Sequence, residues 1–150
     1  MMVEISTSIL NVDEKEAMQV FYDLEVARTD YYHIGVMDGE FVQNDTSEKM
    51  REYATSIKQI SNVPLDVHLM VEDVKEYVEE TLKYTPAVIT IHYEAPKFEE
   101  NIKYLNEIRD SKKVPYFDIG VSIKPNTDVE VLEKYADSII QEFASEFRNT

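Results

Sequence analysis

Short apolar runs alternate with amphipathic segments along almost the whole chain. Runs rich in β-branched and aromatic residues predict strands, and apolar residues spaced three or four positions apart predict helices. The predicted strands cover residues 3–10, 31–37, 65–70, 87–92 and 116–123, and a sixth begins at 138. The predicted helices cover residues 13–26, 46–60, 73–82, 96–108 and 128–135, and a polar helical tail follows the last strand.

Strands that are almost entirely apolar and alternate with helices indicate a parallel sheet covered by helices. Each strand–helix unit takes about 27 to 30 residues, as expected for a βαβ repeat. An open doubly wound sheet and a (β/α) barrel are the alternatives. No G-x-G-x-x-G motif follows a strand, so a dinucleotide-binding open sheet loses support. Polar residues at the carboxyl ends of the strands favour a barrel, whose active site lies at that rim.

Composition narrows the possible partners. The chain has 30 acidic and 15 basic residues and a formal net charge of -15, so it would repel nucleic acid, and no such partner is expected. No run of 18 apolar residues occurs, and the first residues show no signal-peptide pattern, so no membrane association is expected. Cysteine is absent, which excludes disulfides and thiolate metal sites and makes the cytoplasm the expected location.

Two predicted strands carry a histidine and a methionine on the same face. They are His33 with Met37, four positions apart, and His68 with Met70, two positions apart. If the strands are parallel neighbours, the two imidazoles could converge as part of a metal site. Two separate buried histidines, each bonded to a neighbour, are the interpretation that the pattern alone favours.

Three further residues near strand ends have two interpretations each. Asp38, followed by Gly39, belongs to a functional rim loop or to a simple turn. His92 reaches the rim or, as we favour, bonds a neighbouring carbonyl. Lys124 attracts a phosphate or, as we favour, extends its charge into water.

Five segments of the chain resemble ribulose-phosphate 3-epimerases, which are (β/α)8 barrel isomerases of the pentose phosphate pathway. The segments are ISTSILNVD (5–13), HIGVMDGEFVQN (33–44), PLDVHLMVED (64–73), ITIHYEA (89–95) and GVSIKPNT (120–127). They occur in the family's order and spacing. On these segments the chain is identified as a member of that family from residue 3 to about residue 140.

The resemblance implies chemistry as well as fold. The family converts D-ribulose 5-phosphate into D-xylulose 5-phosphate by removing a proton from C3 and returning it on the opposite face. A divalent metal (zinc, iron(II) or manganese), bound by two histidines and two aspartates, stabilises the enediolate. The metal histidines fall at His33 and His68. The substrate-binding positions fall at Ser8, His68, Met37 and Met70.

The sequence departs from the family pattern H-x-D-x-M-D-G at its third position. The aspartate that binds metal and acts as the base is replaced by Gly35, so no catalytic residue is assigned there. The second family aspartate and the phosphate-binding loops would follow residue 150. A complete barrel takes roughly 200 residues or more. We therefore expect one α/β domain over residues 1–150, an incomplete (β/α)8 barrel of TIM type. It would have about five βα units, a sixth strand stub and a helical tail.

Two functional classes remain open, so the sequence leaves it undecided whether the chain is an enzyme. In the first, the chain is a metal-dependent epimerase whose activity is weak or absent. In the second, it is a non-catalytic sugar-phosphate-binding or assembly relative. A phosphorylated pentulose is the expected ligand. Open sheet edges recruit partners, so we also expect a homo-oligomer that covers the open edge.

Overall fold

In the part of the chain that the structure describes, six parallel strands follow one another across a single sheet in the order of the sequence. The structure is a computed structural model that describes residues 2–135 and 140–141. The strands are β1 (Ser6–Ser8), β2 (Tyr31–Met37), β3 (Leu65–Met70), β4 (Val88–His92), β5 (Asp118–Ser122) and β6 (Ile140–Gln141). This α/β arrangement confirms the expected partial barrel, and the predicted bounds of β2 and β3 are confirmed to the residue.

Helices connect the strands. They are α1 (Ala17–Ala27), α2 (Ser47–Ile60), α3 (Val74–Leu82) and α4 (Phe98–Asp110). The segment after β5 was predicted as an ordinary helix, but it is a 3-10 helix, Val129–Tyr135, in which Val131 N–H bonds the Asp128 carbonyl three residues back. The predicted tail and residues 138–139 lie outside the described residues. No helix in the described part of the chain is long and apolar enough to span a membrane.

The strand side chains alternate between two chemically different faces. The face under the helices is apolar and buried, as in Ile34, Val67 and Ile89. The opposite, inner face is polar over most of its area. It carries Ser6, Ser8, His33, Asp66, His68, Thr90, His92 and Ser122. Because buried polar groups need hydrogen-bond partners, the inner face is where the sheet can support a site.

The carboxyl end of β2 is fastened to the start of α2 by one hydroxyl group. Thr46 Oγ1 donates to the Gly35 carbonyl at 2.8 Å and accepts the Met37 N–H at 3.0 Å. The start of α3 is fixed differently, because the Asp73 carboxylate accepts the Glu76 N–H at 3.3 Å as an N-cap. These contacts hold the loops at the rim close to the strand ends.

Gly120 on β5 lies opposite Thr90 on β4. A Cβ atom added to Gly120 would lie 2.2 Å from Thr90 Oγ1 and 3.2 Å from its Cγ2.

We predict that Gly120→Ala lowers the free energy of unfolding by about 1 to 3 kcal/mol, the usual cost of overpacking. Urea denaturation would measure the loss. Thr90→Ala removes Oγ1 and Cγ2 and leaves only its Cβ, 3.0 Å from the added atom, so the double variant should lose less than the sum of the two single variants. Additive losses would contradict this assignment.

Candidate functional site

The first polar cluster of the inner face joins β1, β2 and β3 through Asp66. Its Oδ2 accepts the Nδ1–H of His33 at 2.6 Å and the hydroxyl of Ser6 at 2.7 Å. Asp66 is only 2% exposed and His33 8%, so water screens the pair little. The β2–β3 register places His33 directly opposite Asp66. Because the Asp66 carboxylate accepts the Nδ1–H, the Nε2 edge of the His33 ring is the one turned away from that carboxylate.

The second cluster consists of His68 on β3 and His92 at the end of β4. Their Nε2 atoms lie 2.7 Å apart. The centroids are 4.8 Å apart and the ring planes only 21° apart, so the rings meet edge to edge, as an Nε2–Nε2 hydrogen bond requires. The His33 ring lies 5.7 Å from His68 on the other side. Three imidazoles therefore lie next to one another across three adjacent strands.

Both members of the histidine pair favour the neutral form. Burial, reinforced by the nearby His92 and His33, holds the pKa of His68 well below its ordinary value of 6.5. Burial also lowers the pKa of His92, although the Glu94 carboxylate opposes that shift. At neutral pH each ring therefore carries a single N–H and a single lone pair.

Glu94 connects His92 to the loop that follows β5. Its Oε2 lies 3.4 Å from His92 Nδ1, and its Oε1 accepts the Lys124 N–H at 2.7 Å and the Thr127 hydroxyl. Burial acts to raise the pKa of Glu94, but the bonds from Thr127 and Lys124 and the nearby His92 outweigh it and lower the pKa below 4.5. Glu94 is thus an ionised acceptor, bonded by the Lys124 N–H and the Thr127 hydroxyl and facing His92 Nδ1.

An aromatic ring from the rim packs against His92. Phe41, in the loop after β2, has its centroid 5.3 Å from the His92 ring. Lys124 Nζ in turn lies 4.2 Å from the centroid of the Phe41 ring, within the range of a cation–π contact. Lys124 therefore extends along an aromatic surface, and its charge lies close to the inner face.

Asp38 ties two rim loops together and also forms a turn. Its Oδ1 accepts the N–H groups of Glu40 and Phe41, each at 2.9 Å, while Gly39 takes a positive φ of 77°. Its Oδ2 accepts the Glu72 N–H at 2.6 Å, from the loop after β3. The turn predicted at Asp38 and Gly39 is confirmed, and a function for this rim loop stays a prediction.

The residues predicted to bind substrate or metal occupy different depths of the sheet. His33 and His68 are buried and adjacent, and Met37 and Met70 are buried and paired in register across β2 and β3. Ser8 ends β1 in an exposed position, where its hydroxyl accepts the Leu10 N–H at 3.5 Å. Their roles in binding stay predictions.

The described side chains do not fit the family's metal. Gly35 lies level with His68 across the β2–β3 pair, so no carboxylate is available at that position. His33 Nδ1 faces Asp66 and His68 Nε2 faces His92, so each ring could offer a metal only its other nitrogen. Among residues 2–135 and 140–141, no group of three or more histidine, aspartate or glutamate side chains is arranged to hold a metal ion. No chemical step is therefore assigned to a metal here.

A cavity elsewhere in the molecule does not involve these residues. It has a volume of about 580 Å³ and lies between α2 and α3, on the outer side of the sheet. Its floor includes Ile34 and Val67, and its rim includes Arg51 and Glu80. None of the three histidines lines it, so the polar inner face is the stronger candidate site.

Glu94 and Phe41 were not among the residues that the sequence predicted for the site. Glu94 lies after its strand has ended, and its partners Lys124 and Thr127 are about 30 residues further along the chain. The motif ITIHYEA held a signal, because a carboxylate two residues after a strand-end histidine lies within reach of its ring. Nothing in the sequence placed Phe41 over His92.

Comparison with known proteins gives a consistent result. A family model described as the ribulose-phosphate 3 epimerase family matches residues 4–141. The ribulose-phosphate 3-epimerase of Bacillus subtilis is 31% identical over 139 residues, which are 92% of this chain and 60% of that protein. The Helicobacter pylori J99 enzyme of the same name is 32% identical, over 91% of this chain and 58% of that protein. The Methanocaldococcus jannaschii enzyme is 33% identical, over 88% and 52%. The chain thus spans between about half and three fifths of these relatives.

The two neutral histidines make stability depend on pH. Since the pKa values of His68 and His92 are lowered in the folded state, the unfolded chain takes up protons first as the pH falls below about 6.5. We predict that the metal-free protein, in a chelator, loses stability between pH 7 and 5.5. The slope from His68 should approach about 1.4 kcal/mol per pH unit at the acid end, and His92, whose lowering Glu94 opposes, should add a smaller slope of the same sign.

Urea denaturation at several pH values would measure this slope. A His68→Gln variant removes one of the two titrating rings. The slope of its free energy of unfolding against pH should therefore be smaller, by the equivalent of about one bound proton. A free energy of unfolding that stays constant from pH 7 to 5.5 would contradict the prediction.

Proposed function

Because the chain belongs to the ribulose-phosphate 3 epimerase family, we propose that its inner face binds a phosphorylated pentulose, D-ribulose 5-phosphate. We further propose that its conversion of this sugar into D-xylulose 5-phosphate is weak or absent. The observation that supports binding is the family match over residues 4–141, which includes every strand that supplies the inner face. The cytoplasmic location and the role in the pentose phosphate pathway stay predictions.

The chemistry explains why activity should be low. Epimerisation at C3 needs a base on one side of the carbon, an acid on the other, and stabilisation of the negative charge that forms on oxygen. The family position for the base is Gly35, which has no side chain to accept a proton. The two buried imidazoles, His33 and His68, can form hydrogen bonds with sugar hydroxyl groups. Binding of the sugar phosphate therefore depends on His33 and His68, which are present, whereas turnover depends on a base that is absent at Gly35.

The second candidate function is a non-catalytic role in which the sugar phosphate is only bound. The specific observation in its favour is the engagement of His68 Nε2 by His92 at 2.7 Å. Nε2 of His68 is therefore bonded to a protein side chain, and only the Nδ1 edge of the ring remains for a hydrogen bond with a sugar hydroxyl group. Binding without turnover would distinguish this function from the first.

A coupled assay on D-ribulose 5-phosphate, with the protein supplied in turn with zinc, iron(II) and manganese, tests the proposal. We predict turnover at least about a hundredfold below that of the Bacillus subtilis relative, because general base catalysis typically contributes 10²–10⁴-fold. Calorimetry should still detect binding of the sugar phosphate, and His68→Ala should weaken it. Gly35→Asp alone should not restore full activity.

Two results would contradict this proposal. Robust turnover that a chelator and His68→Ala both abolish would show that the family chemistry operates without an aspartate at position 35. A folded protein that binds no D-ribulose 5-phosphate would remove the proposed ligand.

We also propose that the chain forms a homo-oligomer that covers the β1 edge. Among the described strands, β1 pairs only with β2, and the residues before it expose Val3 (81%) and Ile5 (62%). Exposed apolar side chains beside an edge strand favour pairing with another chain. Light scattering after size exclusion should give a mass above 17.5 kDa at micromolar concentration. Val3→Lys with Ile5→Lys should shift it toward the monomer, and a monomeric wild-type chain would refute the proposal.

A further inference from the structure

Glu94 divides its two carboxylate oxygens between two parts of the site. Oε1 accepts the Lys124 N–H at 2.7 Å and the Thr127 hydroxyl. Oε2 lies 3.4 Å from Nδ1 of His92, whose side chain is fully buried. The loop after β5 and the ring at the end of β4 are therefore held by one side chain.

Glu94, His92 and His68 form a line of contacts, and these contacts determine which ring nitrogens carry the protons. An ionised carboxylate only accepts hydrogen bonds, so the Nδ1 atom of His92 that faces it carries the proton. The Nε2 atom of the neutral His92 ring then holds the lone pair. The Nε2 atom of His68 lies 2.7 Å from that lone pair, and a hydrogen bond between the two requires the proton on His68 Nε2.

We propose that Glu94 is a positioning residue that, through His92, fixes His68 as the tautomer with its proton on Nε2 and its lone pair on Nδ1. The inference does not depend on the proposed enzyme activity. It determines which edge of the His68 ring can accept a proton or a hydrogen bond from a ligand on the inner face. No side chain in this line changes its charge.

His33 provides the contrast within the same structure. Asp66 accepts its Nδ1–H at 2.6 Å, so the carboxylate fixes a proton on Nδ1 of His33. The rings of His33 and His68 are 5.7 Å apart, yet the nitrogen whose proton is fixed is Nδ1 in His33 and Nε2 in His68. Asp66 acts on His33 directly, whereas Glu94 acts on His68 through one intervening ring.

Glu94→Gln should reverse two of the three tautomers. The fixed Lys124 N–H keeps the amide oxygen of the glutamine on its own side, so the amide NH₂ group faces His92 Nδ1. That nitrogen must then accept, which moves the His92 proton to Nε2. His68 Nε2 must accept in turn, and the His68 proton moves to Nδ1.

Long-range ¹H–¹⁵N spectra of ¹⁵N-histidine protein at pH 7.5, in chelator, distinguish a protonated ring nitrogen from one with a lone pair. In the wild type we expect protons on His92 Nδ1, His68 Nε2 and His33 Nδ1. In Glu94→Gln, the two nitrogen signals of His92 and of His68 should exchange character. His33 should keep its pattern, which makes it an internal control in every spectrum.

Asp38→Asn is the matched control variant. Asp38 is also a rim carboxylate that accepts backbone N–H groups from a neighbouring loop, at 2.6 Å from Glu72, but it has no bond to a histidine among its described contacts. It should leave all three tautomers unchanged. Its melting temperature also shows what losing such a tie costs the fold.

The wild-type spectrum alone can overturn the proposal, so the test stands even if Glu94→Gln does not fold. A proton on His68 Nδ1 or on His92 Nε2 in the wild type would refute it. Folded Glu94→Gln protein in which His68 keeps its proton on Nε2 would also refute it, whether or not His92 changes. Exchange at both rings, with His33 unchanged, supports it.

Discussion

The site depends on the close contact between His68 and His92. Two imidazoles with their Nε2 atoms 2.7 Å apart, both fully buried, cannot both be protonated there without strong repulsion. One must donate and the other accept, so the state of each ring depends on its neighbour. The contact exists because β3 and β4 are parallel and adjacent, with both histidines on the inner face. The sheet thus sets the chemistry of the pair before any ligand arrives.

The two carboxylates of the site complete this arrangement in different ways. Asp66 comes from within β3 and lies opposite His33 by register, so the sheet alone positions it. Glu94 comes after the end of β4 and is held by the loop that follows β5. A change in that loop would therefore alter His68 through Glu94 and His92, whereas His33 would be insulated from it. On the inner face, the sheet alone therefore orients His33, whereas the position of the proton on His68 depends on the loop after β5.

Much of the fold could be predicted from sequence because its signals are local. Alternating apolar runs located β2 and β3 to the residue, and the His33 and His68 motifs identified the correct face of both strands. The helix after β5 was mistaken for an ordinary helix, because apolar spacing does not distinguish a 3-10 turn of seven residues. Glu94 was missed because its partners are far along the chain. Local periodicity gives a residue's face, but the partner of a side chain after a strand end depends on how the loops close.

Gly35 and Gly120 show how one residue type has different physical consequences on the same inner face. At Gly120 the missing side chain is required, since a Cβ would collide with Thr90 Oγ1 at 2.2 Å. At Gly35 the missing side chain removes a functional group level with His68. The first glycine maintains the packing between β4 and β5, whereas the second leaves the imidazoles without the carboxylate that the family pattern places there. The groups that determine where the His68 proton lies are therefore on the β4 side, His92 and Glu94, and not on β2.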